Sequence, residues 1–488
     1  MLPTVTIDIG TTNVKVGLFD EEGGADSIEV VPTPTREDGW GEIYDARALE
    51  RIVSDFIGGQ GAAVRSRIQR ITVGGVGESG AFVSAETELA SPLILWHDQR
   101  GRKWIDRLSR EERGRLYRIT GLPASANYGL SKAAWALERI RAEGRSAAGL
   151  VWLNVSEYLA ARMTGKRWSE YSLASRTLAL DVSTRSWSAE ACALFGLSTA
   201  LFPELRGADA GNYDLYLPPI PAVGNGNKVV GNTVHVVGHD HMVGAVGAGL
   251  GPGELLDSTG TTEGLVSVAD EPRLDARAEA AGLANGVFCA PRWWSLFGSI
   301  PTGGSAFATL QTMLDMAAAE VSRREGDLLE KYLAGRIDLS RLPVVLPRFR
   351  GAPLPTKDIR ARGVVVGLRT DTTADEIILA TFVGLAFQYR DVVSLFDAAT
   401  GRVKVIGPAA KDRLWLQLKA DVLGVPHSAS TVAEVVSRGA QALASGEDRR
   451  WDDWGPVVIR PDRVRHARLA EWFESVRRRW ERMKEISS

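Results

Sequence analysis

The sequence predicts an α/β protein of two duplicated lobes that close on one cleft, and three observations carry that prediction. Val5 to Asp20, VTIDIGTTNVKVGLFD, reads as a strand, a tight glycine turn and a returning strand. Val5 and Ile7 lead in, and Val14, Val16 and Leu18 alternate on the way back, the period of two expected of a half-buried strand. Leu255 to Asp270, LLDSTGTTEGLVSVAD, repeats the plan near the middle of the chain, so Gly10-Thr11-Thr12 recurs as Gly260-Thr261-Thr262. The length of 488 residues exceeds what one hydrophobic core usually serves, and each hairpin opens one half of it.

The hairpins also carry chemistry. Gly10 lacks the Cβ that would hold an anion away from the turn's backbone N–H groups, and Thr11, Thr12 and Asn13 add donors. Lys15 adds positive charge, and Asp8 stands where a Mg²⁺ carrying phosphates would take a carboxylate. One such hairpin reads equally well as an ordinary turn with polar residues. Two of them suggest paired phosphate clips facing a shared cleft.

Composition narrows the partners. Lys plus Arg number 58 against 60 Asp plus Glu, so no net field recommends nucleic acid or a membrane surface. A small neutral or anionic molecule fits better. Apolar residues make up 44% and charged ones 24%, as in soluble globular proteins. Cys192 and Cys289 are the only thiols, the usage of a reducing compartment, and a disulfide between them is not needed. No signal-peptide pattern opens the chain, no run is read as approaching the ~20 apolar residues of a membrane span, and a cytoplasmic location is expected. Asn154-Val155-Ser156 has glycosylation spacing, read as chance.

Taken in order, Ala46 to Ile57 has helical spacing and Ile71 to Val76 reads as a buried strand. It ends in Gly75-Val76-Gly77-Glu78-Ser79-Gly80, a G-x-G-x-x-G match. A dinucleotide site needs a helix next, whereas Ala81 to Ser84 reads as another strand, so that assignment is rejected. Glu78 and Ser79 are expected to be exposed, on a substrate-side loop or a plain bulge. Pro92 to Arg100, PLILWHDQR, places a predicted strand before Trp96, Asp98 and Arg100. The tryptophan suits a platform for a carbon chain, with polar neighbours for hydroxyls; a core-closing ring beside an ion pair is the alternative. Asn127 to Leu137 and Val151 to Met163 are predicted helices, Tyr171 to Asp181 is a Ser/Thr-rich piece that lines a pocket or caps turns, and Tyr216 to Lys228 is a loop.

Val234 to Val237 is a predicted strand, and Gly238-His239-Asp240-His241 begins a small-residue helix, Met242 to Ala248. Asp240 reads as a helix cap or, given its place shortly before the second hairpin, as a carboxylate that accepts a proton from an attacking hydroxyl. His239 and His241 lack a third metal ligand. Downstream, Phe297 to Phe307 carries a glycine turn with Gly304 into a helix, and Val364 to Val366 is a strand. Thr373 and Glu376 form a capping box that opens a long apolar helix through Val392. Val403 to Ile406 is a strand followed by Gly407-Pro408-Ala409-Ala410-Lys411-Asp412 and a helix from Leu414 to Leu423, a seat suited to a nucleotide. The last helix is a docking helix with an apolar face of Leu469, Trp472, Phe473, Val476, Trp480 and Met483, its arginines solvated.

Together these segments resemble the FGGY family of carbohydrate kinases, within the actin, hexokinase and Hsp70 ATPase superfamily. The resemblance runs from DIGTTNVKVGLFD through LILWHDQR, YSLASRTLALD, GHDHMVGAVGAG and DSTGTTEG to ARGVVVGL and WLQLKADVLG. It implies two RNase H-like, actin-like ATPase domains, residues 1–247 and 248–488, with ATP and Mg²⁺ in the cleft and a small sugar, polyol or sugar acid as acceptor, pentulose- or polyol-like by preference. Carried over by position, Asp8 serves the metal. Thr11, Thr12, Asn13, Lys15, Gly260, Thr261 and Thr262 serve the phosphates, and Gly304, Gly407, Ala409 and Asp412 the nucleoside. Asp240 matches the general base, and Glu78, Ser79, Trp96, Asp98 and Asn127 fall where members contact the sugar. A homodimer is compatible with the resemblance. Xylulokinases usually show Gln-Met-His-Gly where this chain has Gly77-Glu78-Ser79-Gly80, and glycerol kinases show Arg-Glu where it has Glu78-Ser79, so neither substrate is assigned. Where members often carry a run of glycines, this chain has Gly407-Pro408-Ala409, and Pro408 restricts the turn. A nucleotide-binding or regulatory protein without turnover is the alternative.

Overall fold

The computed structural model describes residues 3–20, 24–208, 233–290, 292–396, 400–446 and 451–487. The loop expected from Tyr216 to Lys228 lies outside the described residues. Two mixed sheets organise the chain. The first has the strand order Thr233–His239, Arg70–Gly75, Thr4–Ile9, Asn13–Phe19, Ala25–Pro32. The second runs Ala284–Val287, Trp294–Ile300, Glu263–Ala269, Glu254–Thr259, Arg402–Ile406, His427–Ala429, Val457–Ile459.

Both sheets are built around a Gly-Thr-Thr hairpin in the same way. Thr4–Ile9 pairs antiparallel with Asn13–Phe19, which pairs antiparallel with Ala25–Pro32, while its other edge pairs parallel with Arg70–Gly75. Glu254–Thr259 pairs antiparallel with Glu263–Ala269, which pairs antiparallel with Trp294–Ile300, while its other edge pairs parallel with Arg402–Ile406. Each parallel pairing needs a long crossover, and helices fill it. Val5, Ile7, Ile9, Val14 and Val16 of the first hairpin are buried, as are Leu255, Leu256, Leu265 and Val266 of the second. The duplicated sequence pattern is therefore a duplicated topology.

One helix from near the chain's end returns to the first sheet. Val435–Ser445 packs against the Asp240–Gly247 helix and against strands Thr4–Ile9, Arg70–Gly75 and Thr233–His239. Glycines make the contact close: a Cβ on Gly439 would stand 2.0 Å from the Val243 carbonyl oxygen, and one on Gly247 would stand 2.1 Å from that of Val435.

Several expected elements differ in detail. Residues 92–95 form only two isolated bridges, from Ile94 to Ile43 and to Gly80, not a strand. The helix expected over 151–163 divides into the strand Val151–Leu153 and the helix Val155–Thr164, because Asn154 caps the helix in a reciprocal box with Glu157. Asn154 is buried, so its glycosylation spacing has no surface to serve. Cys192 and Cys289 are buried free thiols. Ala374–Phe396 is long and apolar enough to cross a membrane by length and composition, which the sequence expectation did not count; 78% of its apolar window is buried, as in a core helix. The closing helix, Arg463–Ile486, buries Leu469, Phe473, Val476, Trp480 and Met483 on the apolar face expected of it.

Candidate active site

The two hairpin turns close alike. Gly10 N–H donates to Asn13 O at 3.0 Å, and Gly260 N–H donates to Thr262 O at 2.9 Å. Thr11, Thr12, Asn13, Thr261 and Thr262 are exposed at the tips. The second turn is held from behind by Gly304, whose N–H donates to Gly260 O at 2.7 Å. A Cβ on Gly304 would stand 2.6 Å from that oxygen, so only glycine fits. Beneath it the fully buried Lys419 bonds Asp257 at 2.7 Å and also Glu263, pinning both strands of the hairpin to the Arg413–Leu423 helix.

Asp240 is the first residue of its helix and follows directly from the strand Thr233–His239. Its side chain is 23% exposed, and Oδ1 accepts the His241 N–H at 2.7 Å. His239 Nε2 lies 3.3 Å from the same oxygen. Burial lowers the His239 imidazole to about 4, so it stands neutral beside the carboxylate rather than forming an ion pair. His241 reaches to the second sheet. Its ring fills the space over Gly264, on the strand leaving the second hairpin, and its centroid is 5.1 Å from that of Phe297. The segment that carries Asp240 thus bridges the two sheets.

Asp8 sits opposite Lys15 in the first hairpin. Its Oδ1 is buried with no hydrogen-bond partner. Burial first, then the charges of Asp240 and Glu434, push its carboxyl up to about 7 against the pull of Lys15. An orphaned buried carboxylate oxygen near a second carboxylate fits a hard divalent cation. Among the described residues no group of three or more His, Cys, Asp or Glu could hold a metal ion. Mg²⁺ needs none, since it takes one or two carboxylates and fills its shell with water and phosphate.

Around Glu78 the structure gathers a set of charges that the sequence pattern did not reveal. Arg176 donates to Glu78 Oε1 through Nε at 2.9 Å and Nη2 at 2.5 Å. Burial acts to raise the Glu78 carboxyl, but the guanidinium overrides it and holds it at about 2. Arg176 also lies over the rings of Tyr128 and Phe297, 5.2 and 5.4 Å from their centroids. Gly77 makes the room, because a Cβ there would meet Arg176 Cγ at 2.6 Å and His239 Cδ2 at 2.8 Å. Lys132, fully buried, donates to the carbonyls of Glu78, Leu95 and Trp96 at 2.9, 2.8 and 2.6 Å and so ties two loops together.

The other acceptor-side residues divide. Trp96 donates from Nε1 to Thr11 Oγ1 at 2.9 Å, beside the first hairpin. Asn127 Oδ1 accepts from Gln99 at 2.6 Å. Asp98 is committed to Arg100 at 2.8 Å, and Arg100 also holds Asp38, the ion-pair alternative. Neither Glu78 nor Ser79 is exposed as expected: the Glu78 side chain, paired with Arg176, is 12% exposed, and Ser79 is 2% accessible, with its hydroxyl 3.2 Å from Asn154 Nδ2, which donates to it. Ser79 braces the turn that presents Glu78.

Beside the second hairpin a cleft of about 890 Å³ is lined by Gly260, Thr261, Gly304, Ala409 and Asp412 among others. Gly407 has φ 99°, and a Cβ there would stand 2.3 Å from Thr259 O. Pro408 occupies the first position of the short 3₁₀ turn Pro408–Lys411, where a missing N–H costs nothing. The Ala410 N–H still closes onto Gly407 O at 3.1 Å. Asp412 Oδ1 caps the following helix through the Trp415 N–H at 2.7 Å.

Duplicated sheets, each built around a Gly-Thr-Thr hairpin, define the two-domain actin-like ATPase fold. Within it, the chain belongs to the FGGY family of carbohydrate kinases: the model of the family's N-terminal domain matches residues 4–247 and that of its C-terminal domain residues 255–446. Members are ATP-dependent phosphotransferases with an alcohol group as acceptor, and this chain is a kinase of that class. It is 27% identical over 475 residues to a glycerol kinase of Lactococcus lactis, covering 92% of this chain and 90% of that one. A glycerol kinase of Nocardia farcinica is 26% identical over 513 residues, with 97% of each chain covered. Among solved structures, a ligand-bound xylulose kinase from Lactobacillus acidophilus superposes with a TM-score of 0.84 at 20% identity, covering 100% of this chain and 99% of that one. Plasmodium falciparum glycerol kinase with ADP gives 0.83 at 19% identity, with 98% of each covered.

Proposed function

We propose that this kinase transfers the γ-phosphate of ATP to a hydroxyl of a pentulose- or polyol-like acceptor, with Asp240 as general base and domains divided near Gly247. The observation that carries the reading is the placement of Asp240. Its carboxylate is partly open and electrostatically coupled to Asp8, and its helix spans from the first hairpin's sheet to the second hairpin's strand. Asp240 takes the proton as the acceptor oxygen attacks. Thr11, Thr12, Asn13, Thr261 and Thr262 hold the transferring phosphates with backbone and hydroxyl donors, and Lys15 adds charge beside them. Asp8 fits Mg²⁺, which when bound neutralises phosphate charge. Glu78 and Arg176 offer the acceptor a charged acceptor–donor pair, Trp96 an apolar face and Asn127 an amide.

Relatives are named for glycerol, xylulose and gluconate, so the acceptor panel should span polyols, ketoses and sugar acids. ADP release coupled to each acceptor tests the reading. A pentulose or polyol that raises ADP release well above the acceptor-free rate supports it. Nucleotide binding with no acceptor stimulating release contradicts it.

A further inference from the structure

The first phosphate turn is fixed from within and from behind. Gly10 N–H donates to Asn13 O at 3.0 Å, Thr33 N–H donates to Thr12 O at 2.9 Å, and Thr33 Oγ1 donates to Gly10 O at 2.8 Å. Those bonds hold the main chain. Trp96 adds something different: its Nε1 donates to Thr11 Oγ1 at 2.9 Å, so it grips a side chain at the tip of the turn from 85 residues away in sequence. This bond lies at an exposed position, where water would serve the indole N–H and the hydroxyl equally well. Fold stability alone does not call for it.

The tryptophan is itself held in place. Its ring packs against the core of the first lobe, and its carbonyl accepts from the buried Lys132 ammonium, which also bonds the carbonyls of Leu95 and Glu78. A continuous chain of hydrogen bonds therefore runs from the Glu78 turn through Lys132 and Trp96 to Thr11. A hydroxyl carries one proton and two lone pairs. With the indole N–H on one lone pair, the Thr11 O–H cannot point back at Trp96 and donates away from it, and hydrogen bonds in series strengthen one another.

We propose that Trp96 is a positioning residue for phosphoryl transfer: it orients the Thr11 hydroxyl so that its proton donates to the transferring phosphate, and it keeps the apolar platform for the sugar or polyol in register with the first phosphate turn. The inference rests on the assignment of Thr11 to the phosphates made above. Because the indole N–H acts through Thr11, its contribution falls on the transfer step and not on affinity for the sugar or polyol.

Three measurements at saturating Mg·ATP test this: the transfer rate with the sugar or polyol that most stimulates ADP release, the KM for that compound, and the slow hydrolysis of ATP by water without it. Trp96→Phe keeps an apolar ring but has no N–H. Its transfer and hydrolysis rates should both fall about tenfold, with KM within about threefold of wild type. Thr11→Ser keeps the hydroxyl and should stay within about threefold in rate. Thr11→Val should lose about tenfold or more, and adding Trp96→Phe to it should cost less than about twofold further, since the indole then has nothing to orient. Wild-type rates in Trp96→Phe overturn the proposal. A raised KM with an intact rate does so too, because it marks a platform alone, and so do losses that multiply in the double variant. If no sugar or polyol stimulates the wild type, the parent reading fails, and the hydrolysis series still decides the role of Trp96.

Discussion

Lys15 Nζ stands 3.0 Å from Glu434 Oε2 and so joins the first hairpin to the residue that precedes the Val435–Ser445 helix. That helix lies against the helix begun by Asp240, backbone to backbone at Gly247 and Gly439. A single element near the chain's end therefore touches both the lysine of a phosphate turn and the carrier of the candidate base.

Gly439→Ala tests how closely the two helices must approach. The added methyl meets a main-chain oxygen, which no rotamer change relieves, so the helices have to separate. We expect a stability loss of about 1–3 kcal/mol, the usual cost of overpacking, together with lowered turnover. Urea midpoints and kcat measure the two effects, and an unchanged pair of values would show that the contact is not tight.

Arg176 and Glu78 are a pair whose side chains are only 6% and 12% exposed. Removing the guanidinium by Arg176→Met leaves a buried carboxylate uncompensated, at a cost of about 3–5 kcal/mol. In Glu78→Leu/Arg176→Met most of that stability should return, while the KM for the acceptor stays high. Recovery of acceptor binding in the double variant would remove the pair from the acceptor site.

His427 is fully buried, with Nδ1 3.0 Å from Val425 O. Burial lowers it to about 3, far below its ordinary value. Below pH ~6.5 the unfolded chain binds a proton there that the fold refuses, so this histidine's contribution to stability is lost as pH falls. The slope is at most about 1.4 kcal/mol per pH unit between pH 6.5 and 4. Buried carboxyls raised in the fold, such as Glu157 and Glu170, act in the opposite sense. The comparison must therefore be a difference: wild type should lose more stability than His427→Gln between pH 7 and pH 5 in urea titrations. Parallel curves would contradict it.

The hairpins were legible because a glycine turn between period-two runs is a local signal, and its repetition is visible without coordinates. The break at Asn154 was legible too, since Asn-x-x-Glu before an apolar run is a capping box, yet the continuous apolar content of 151–163 masked it. Residues 92–95 read as a strand on hydrophobicity alone, and whether a run finds a pairing partner is not written in the run. Arg176 stayed hidden for a different reason. Its partner, Glu78, lies far away in sequence, and only the packing of separate elements brings the two together.

The most direct test of the account is phosphoryl transfer by Asp240→Asn in a single turnover with saturating Mg·ATP and a stimulating acceptor. The amide preserves shape and the contact with the His241 N–H but cannot take a proton. The rate should fall roughly 10²–10⁴-fold with ATP affinity unchanged. Transfer at the wild-type rate would contradict the assignment of Asp240 as the base.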